Sequence, residues 1–114
     1  MRLIIAAALV LLCSGASAKD LSSLQKSKIE AAVKERLVDA DSAKFKFPKY
    51  SGGSVYCGQV NAKNRMGGYA GFAVFQTMIL SSSSIMLLGV GSSDPNDSST
   101  SALLTTCREA GYSL

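Results

Sequence analysis

The 114-residue sequence contains no histidine and no tryptophan, and it has only two prolines and three cysteines. Without histidine, the chain can form neither a Ser-His-Asp triad nor a Cys-His pair, and a histidine-ligated metal site is excluded as well. The low proline content excludes collagen-like and proline-rich classes. A hydrophobic fraction of 47% is typical of a globular protein, and the length suits a single domain.

Candidate catalytic and metal-binding groups are equally scarce. Asp39 and Asp41 lie close in sequence, and Asp94 and Asp97 share the loop GSSDPNDSS, but neither pair has the ligands of a calcium loop. The serines at 81–84 have no evident base to activate them, and the cysteines lack the C-x-x-C spacing of redox enzymes. The sequence therefore predicts a non-enzymatic protein with no catalytic residue, metal site, cofactor or small-molecule substrate.

The first 18 residues, MRLIIAAALVLLCSGASA, have the three parts of a secretory signal peptide. Arg2 supplies the positive charge, residues 3–12 form an apolar run, and residues 16–18 give the A-x-A cleavage pattern. The run is much shorter than the roughly 20 residues of a spanning helix, which favours cleavage over an uncleaved anchor. We predict a signal peptide at 1–18 and a single periplasmic or secreted domain at 19–114.

Cleavage would leave two of the three cysteines. Leu12 precedes Cys13 where a lipoprotein needs a small residue, so lipidation is disfavoured. In an exported chain, Cys57 and Cys107 are most simply one disulfide, the alternative being two buried free thiols. The bridge would close a loop of about 51 residues and stabilise the fold by roughly 4 kcal/mol in the chain-entropy model.

Hydrophobic periodicity predicts an α+β domain with an N-terminal helix, a four-stranded antiparallel meander and a C-terminal helix. The first helix is predicted over 22–37, because Ser22 and Gln25 can form a capping box before an apolar stripe. The second is predicted from 99 or 100 to 110, with Gly111 at its C-cap. The strands are predicted at 45–47, 55–62, 69–80 and 85–90.

The predicted disulfide would join the second strand to the apolar face of the last helix. This helix would then be tied to the sheet, in a domain that we predict to have two layers. Gly58, in the middle of the second strand, indicates a β-bulge.

Residues 70–90 support a second interpretation, because this stretch of 21 residues has no charge and is long enough to cross a membrane. Gln76, Thr77 and the serines at 81–84 lie near its centre, and two strands joined by a serine turn explain this pattern better. A membrane-inserted small protein of prophage origin, with 70–90 as its span, is kept as the alternative.

The segment 42–93 contains five basic residues and no acidic residue. Lys63, Asn64 and Arg65 lie at a predicted turn, and Tyr69 follows closely. Two cations, an amide and an aromatic ring can contact an anionic phospholipid head group, a polyanionic glycan or an acidic protein patch. These four residues are the candidate ligand contacts, the alternative being turn residues on a solvated basic face.

The overall charge disfavours nucleic acid as a partner. Loss of Arg2 with the signal peptide lowers the formal net charge from +4 to +3, and the clustered cations of nucleic-acid-binding proteins are missing. We therefore predict an exported, non-enzymatic small binding domain of the bacterial cell envelope. Its expected partner is an envelope protein or an anionic envelope component.

Part of the chain resembles a family of small exported bacterial and prophage proteins that have a D-P-x-S-A-x-F element followed by C-G-x-V-N-A-K-N-x-x-G-G-Y-x-G-F. The matching stretches are DADSAKF at 39–45, CGQVNAKN at 57–64, GGYAGF at 67–72 and CREA at 107–110. Ala40 stands where the family usually has proline. The resemblance implies an exported α+β domain with a Cys57–Cys107 bridge, and it implies no particular activity.

Overall fold

The computed structural model describes residues 19–114, and the predicted signal peptide at 1–18 lies outside the described residues. Within 19–114 the chain forms two α-helices, α1 (Ser23–Lys34) and α2 (Ser98–Glu109), and one four-stranded sheet. Its strands pair in chain order as an antiparallel meander, which confirms the predicted α+β fold: β1 (Lys44–Lys46), β2 (Val55–Asn61), β3 (Ala73–Ser81) and β4 (Ser84–Val90).

Helix α1 begins with the predicted capping box. The Ser22 hydroxyl accepts a hydrogen bond from the Gln25 N–H at 3.1 Å, and the Gln25 side chain accepts one from the Ser22 N–H at 3.0 Å. The helix ends at Lys34, before the predicted end at Leu37. The N–H groups of Arg36 and Leu37 bond to carbonyls three residues back. The chain after Lys34 therefore has the hydrogen bonds of a 3₁₀ turn and not those of an α-helix.

Helix α2 is capped at both ends, and a disulfide in its last turn ties it to the sheet. Asp97 is the N-cap of α2, and its side chain accepts a hydrogen bond from the Thr100 N–H. At its other end, Gly111 has φ +97°, and the N–H of Tyr112 bonds to the Cys107 carbonyl, as in a Schellman motif. A disulfide joins the buried Cys107 to Cys57 of β2, as predicted.

The sheet lies between the two helices. Cys57 points toward α2, whereas Phe75 of β3 pairs with the residue that follows Cys57, so its ring points to the opposite face. Phe47 packs against Phe75, and the Lys26 ammonium of α1 lies 5.7 Å from the Phe47 ring centroid. The predicted two-layer arrangement is therefore wrong. The sequence did contain a signal for helices on both faces of the sheet. The almost continuous apolar run of β3 is typical of a strand that is covered on both faces.

Gly58 forms no bulge, contrary to the prediction. It pairs regularly with Phe75, and a Cβ atom on Gly58 would lie only 2.4 Å from the Phe75 ring. Glycine is needed here because the aromatic ring lies directly over the backbone. The register shifts lie instead between β3 and β4, at Gln76/Thr77 and Ile79/Ser81.

The uncharged stretch at 70–90 contains β3 and β4, joined through Ser82 and Ser83. These are the two strands and the serine turn that the sequence predicted. Among residues 19–114, no helix combines the length and the apolar character that crossing a membrane requires.

Candidate functional site: a braced cationic turn

The four candidate contact residues lie at one turn between β2 and β3. Lys63 and Tyr69 pair in an isolated antiparallel bridge, and the five residues between them form the turn. Tyr69 was predicted to begin the third strand, but β3 begins only at Ala73. The extended chain is interrupted at Gly71, whose φ of +104° lies in the left-handed region.

Asn64 holds the turn together through its side chain. Its Oδ1 atom accepts hydrogen bonds from the N–H of Met66 at 2.9 Å and from the N–H of Gly68 at 3.3 Å. Its backbone N–H donates to the Gly68 carbonyl, and its carbonyl accepts from the Gly67 N–H. The amide oxygen of Asn64 is thus used inside the turn, in the manner of an Asx-turn.

Ser42 braces this turn from outside. The Lys63 N–H donates to the Ser42 Oγ at 2.8 Å, and the Tyr69 hydroxyl donates to the Ser42 carbonyl at 3.0 Å. The Ser42 hydroxyl in turn donates to the Asp39 carbonyl at 2.8 Å. The turn is therefore fastened to the short 3₁₀ turn Ala40–Ser42, which precedes β1.

Two aromatic rings hold lysine side chains beside the turn. The Nζ atoms of Lys44 and Lys63 lie 4.4 Å and 5.8 Å from the Tyr69 ring centroid, and Lys46 Nζ lies 3.9 Å from the Phe72 centroid. Such contacts stabilise a cation by about 0.5–1 kcal/mol at exposed sites. The rings therefore restrict where the three ammonium groups can lie.

We call this set the cationic turn surface: Lys44, Lys46, Lys63, Arg65, Tyr69 and Phe72. Lys63, Arg65 and Tyr69 were predicted from the sequence as contacts, whereas the positions of Lys44, Lys46 and Phe72 beside them were not predicted. The alternation of Lys44, Phe45 and Lys46 was the available signal, because a strand with this pattern points both lysines to one face.

The cations of this surface have no carboxylate partner within residues 19–114. The single ion pair in this part of the chain joins Lys49 to Asp20 at 2.9 Å, and it lowers the pKa of Asp20. Asp39 and Asp41 are the nearest acidic residues along the chain, and neither forms an ion pair with the turn. The surface is therefore free to attract an anion.

No other chemistry is evident at this site. Residues 19–114 contain no group of three or more cysteine, aspartate or glutamate side chains that could hold a metal ion. Between the sheet and α2, a pocket of about 190 Å³ borders Phe72, but its Thr100 hydroxyl is already bonded to Ser92 and Asp97. What the described geometry does show is four cations and two aromatic rings gathered on one surface.

In comparisons with protein-family models, curated proteins and solved structures, the chain matches none. The resemblance to small exported bacterial and prophage proteins therefore stays a prediction.

Proposed function

We propose that this protein is an exported, non-enzymatic binding module of the bacterial cell envelope. Its cationic turn surface would contact an anionic envelope component. The observation that carries this proposal is the arrangement at Tyr69, whose ring holds Lys44 and Lys63 while its hydroxyl fastens the turn to Ser42.

The contacts between the lysines and the aromatic rings favour binding. A lysine side chain that is free in solution loses roughly 1.5–2 kcal/mol of rotamer entropy when it is immobilised. Lys44, Lys46 and Lys63 are already restricted by the Tyr69 and Phe72 rings, so part of this loss precedes binding. Because the contact is electrostatic and exposed, it weakens with salt over a Debye length of about 8 Å at 0.15 M.

Export is supported by two independent features. The first 18 residues have the pattern of a signal peptide, and they contain Cys13, so that two cysteines lie outside this segment. The remaining pair, Cys57 and Cys107, is joined in a buried disulfide. Disulfides persist mainly in oxidising compartments such as the periplasm or the medium.

The test is binding of the purified protein to isolated envelope fractions at low and at moderate salt. We expect the double variant Lys63→Glu/Arg65→Glu to lose most of the binding. A matched control, Lys19→Glu/Lys28→Glu, makes the same change in net charge at exposed positions away from the turn and should retain it. Equal binding by wild type and both variants would contradict the proposal.

A further inference from the structure

Met66 occupies the tip of the turn and is 94% exposed, more than any other large apolar residue in 19–114. Its backbone is held, because its N–H donates to the Asn64 side chain and the following Gly67 N–H bonds to the Asn64 carbonyl. An apolar side chain at a fixed, protruding position contributes nothing to the core of the domain. It is available to an outside partner.

Charges surround this apolar tip. Arg65 precedes it, and Lys63 lies at the base of the turn beside the half-exposed Tyr69 ring. Lys63 and Tyr69 pair across the base of the turn, so the apolar tip stands on a base that is both cationic and aromatic. This arrangement matches an anionic bilayer, in which hydrocarbon lies beneath an interface where charged head groups and aromatic rings are found together.

A second exposed apolar residue lies at the same end of the molecule. Val38 is 65% exposed and borders a groove of about 260 Å³ together with Arg36 and Lys63. An apolar side chain next to a cation thus occurs twice here. Two acidic residues, Asp39 and Asp41, lie next along the chain and reduce the local positive charge without pairing with it.

We propose that the cationic turn surface docks on the anionic phospholipid surface of a membrane, with Met66 entering the lipid interface. This inference rests on the proposed function and names the partner. A polyanionic glycan would use the cations but would leave Met66 in water. A bilayer uses both, since peripheral binding grows with buried apolar area and with attraction to anionic lipids.

The first test is binding of the purified, oxidised protein to vesicles of phosphatidylglycerol and phosphatidylcholine. We expect Met66→Gln to bind about tenfold more weakly than wild type, because the apolar contact is lost. Lys63→Gln and Arg65→Gln should each bind about fivefold more weakly. The matched control Leu24→Gln removes an exposed apolar side chain at the far end of α1 and should bind as wild type.

Insertion has a separate readout, because the chain contains no tryptophan. Met66→Trp places a single fluorophore at the tip, and Leu24→Trp places one at the control position. With anionic vesicles we expect a blue shift and quenching by brominated lipids for Met66→Trp only. Asp41→Asn should strengthen vesicle binding, because it removes an exposed negative charge three residues before Lys44 that an anionic membrane repels.

The outcomes separate this inference from the proposed function. If Met66→Gln binds vesicles as tightly as wild type, or if Met66→Trp is quenched no more than Leu24→Trp, the lipid inference is wrong. The proposed function survives that result if Lys63→Glu/Arg65→Glu still loses binding to envelope fractions. If the double variant retains all binding, both are wrong.

Discussion

The hydroxyl of Tyr69 donates a hydrogen bond to the carbonyl oxygen of Ser42, 3.0 Å away and 27 residues earlier in the chain. The same tyrosine ring lies beneath the Lys44 ammonium group. One side chain therefore both fixes the turn and positions a charge, and these two roles can be separated by mutation.

Tyr69→Phe should keep the ring beneath the Lys44 ammonium group and remove the hydrogen bond to the Ser42 carbonyl oxygen. It removes one partly exposed hydrogen bond, so we expect a loss of about 0.5–1.5 kcal/mol in the free energy of unfolding. The ring remains under Lys44, so binding to envelope fractions should stay within about twofold of wild type. Tyr69→Ala should lose binding several-fold. Equal binding by the two variants in the envelope assay would contradict the role of the ring.

Gly58→Ala should destabilise the domain, because the new Cβ atom would lie 2.4 Å from the Phe75 ring and 2.8 Å from the Lys46 carbonyl oxygen. Overpacking of this kind costs about 1–3 kcal/mol, which urea unfolding would measure. Gly53→Ala is the matched control, since a Cβ atom at Gly53 has no neighbour within 4 Å. A change smaller than about 0.5 kcal/mol for Gly58→Ala would show that the Phe75 ring moves aside freely.

The disulfide should contribute a large share of the stability. The chain between Cys57 and Cys107 has a sequence separation of 50, and closing a loop of this length is worth roughly 4 kcal/mol in the chain-entropy model. The double variant Cys57→Ala/Cys107→Ala avoids a free thiol and should unfold at much lower urea than the oxidised protein. If unfolding of the wild type is the same with and without reductant, this expectation fails.

Asp97 should make the stability depend on pH in the acidic range. Hydrogen bonds from the Ser99 hydroxyl and from the backbone and side chain of Thr100 lower the pKa of Asp97 below its ordinary value of 3.8. The contribution of Asp97 to the free energy of unfolding is therefore fully present above pH 3.8, its pKa in the unfolded chain. It is lost as the pH falls through the lower pKa that Asp97 has in the folded protein. Urea unfolding at a series of pH values measures this loss.

The Asp97→Asn variant isolates the effect, because asparagine also caps a helix but carries no titrating group. The stability difference between wild type and variant should be constant near neutral pH and should shrink as the carboxylate protonates. A difference that stays constant through the whole acidic range would assign the pH dependence to other groups, among them Asp20, whose pKa is lowered by Lys49.

Features of the fold that rest on neighbouring residues were predictable from the sequence. The capping box at Ser22 and Gln25 needs only a spacing of three residues, and the strand order follows from alternating patterns and turns. Pairing of Cys57 with Cys107 was predicted because Cys13 lies in the predicted signal peptide, which leaves two cysteines in the predicted domain. All of these are present in the structure.

What the sequence did not predict depends on contacts between distant segments. The brace from Ser42 to Tyr69 spans 27 residues, and no local pattern indicates it. Placement of α1 and α2 on opposite faces follows from which residues of β2 and β3 face each other, and register is a tertiary property. The exposure of Met66 likewise depends on how the turn protrudes from the sheet, which no local sequence pattern indicates.

In the proposed function, the turn at 63–69 contacts an anionic component of the envelope. The most direct test of this contact is photo-crosslinking in living cells, with p-benzoylphenylalanine replacing Met66 in one strain and Leu24 in another. We expect crosslinks to envelope material from the turn and none from the control position, and we expect Lys63→Glu/Arg65→Glu to abolish them. Equal crosslinking from both positions, or none from the turn, would contradict the proposed function.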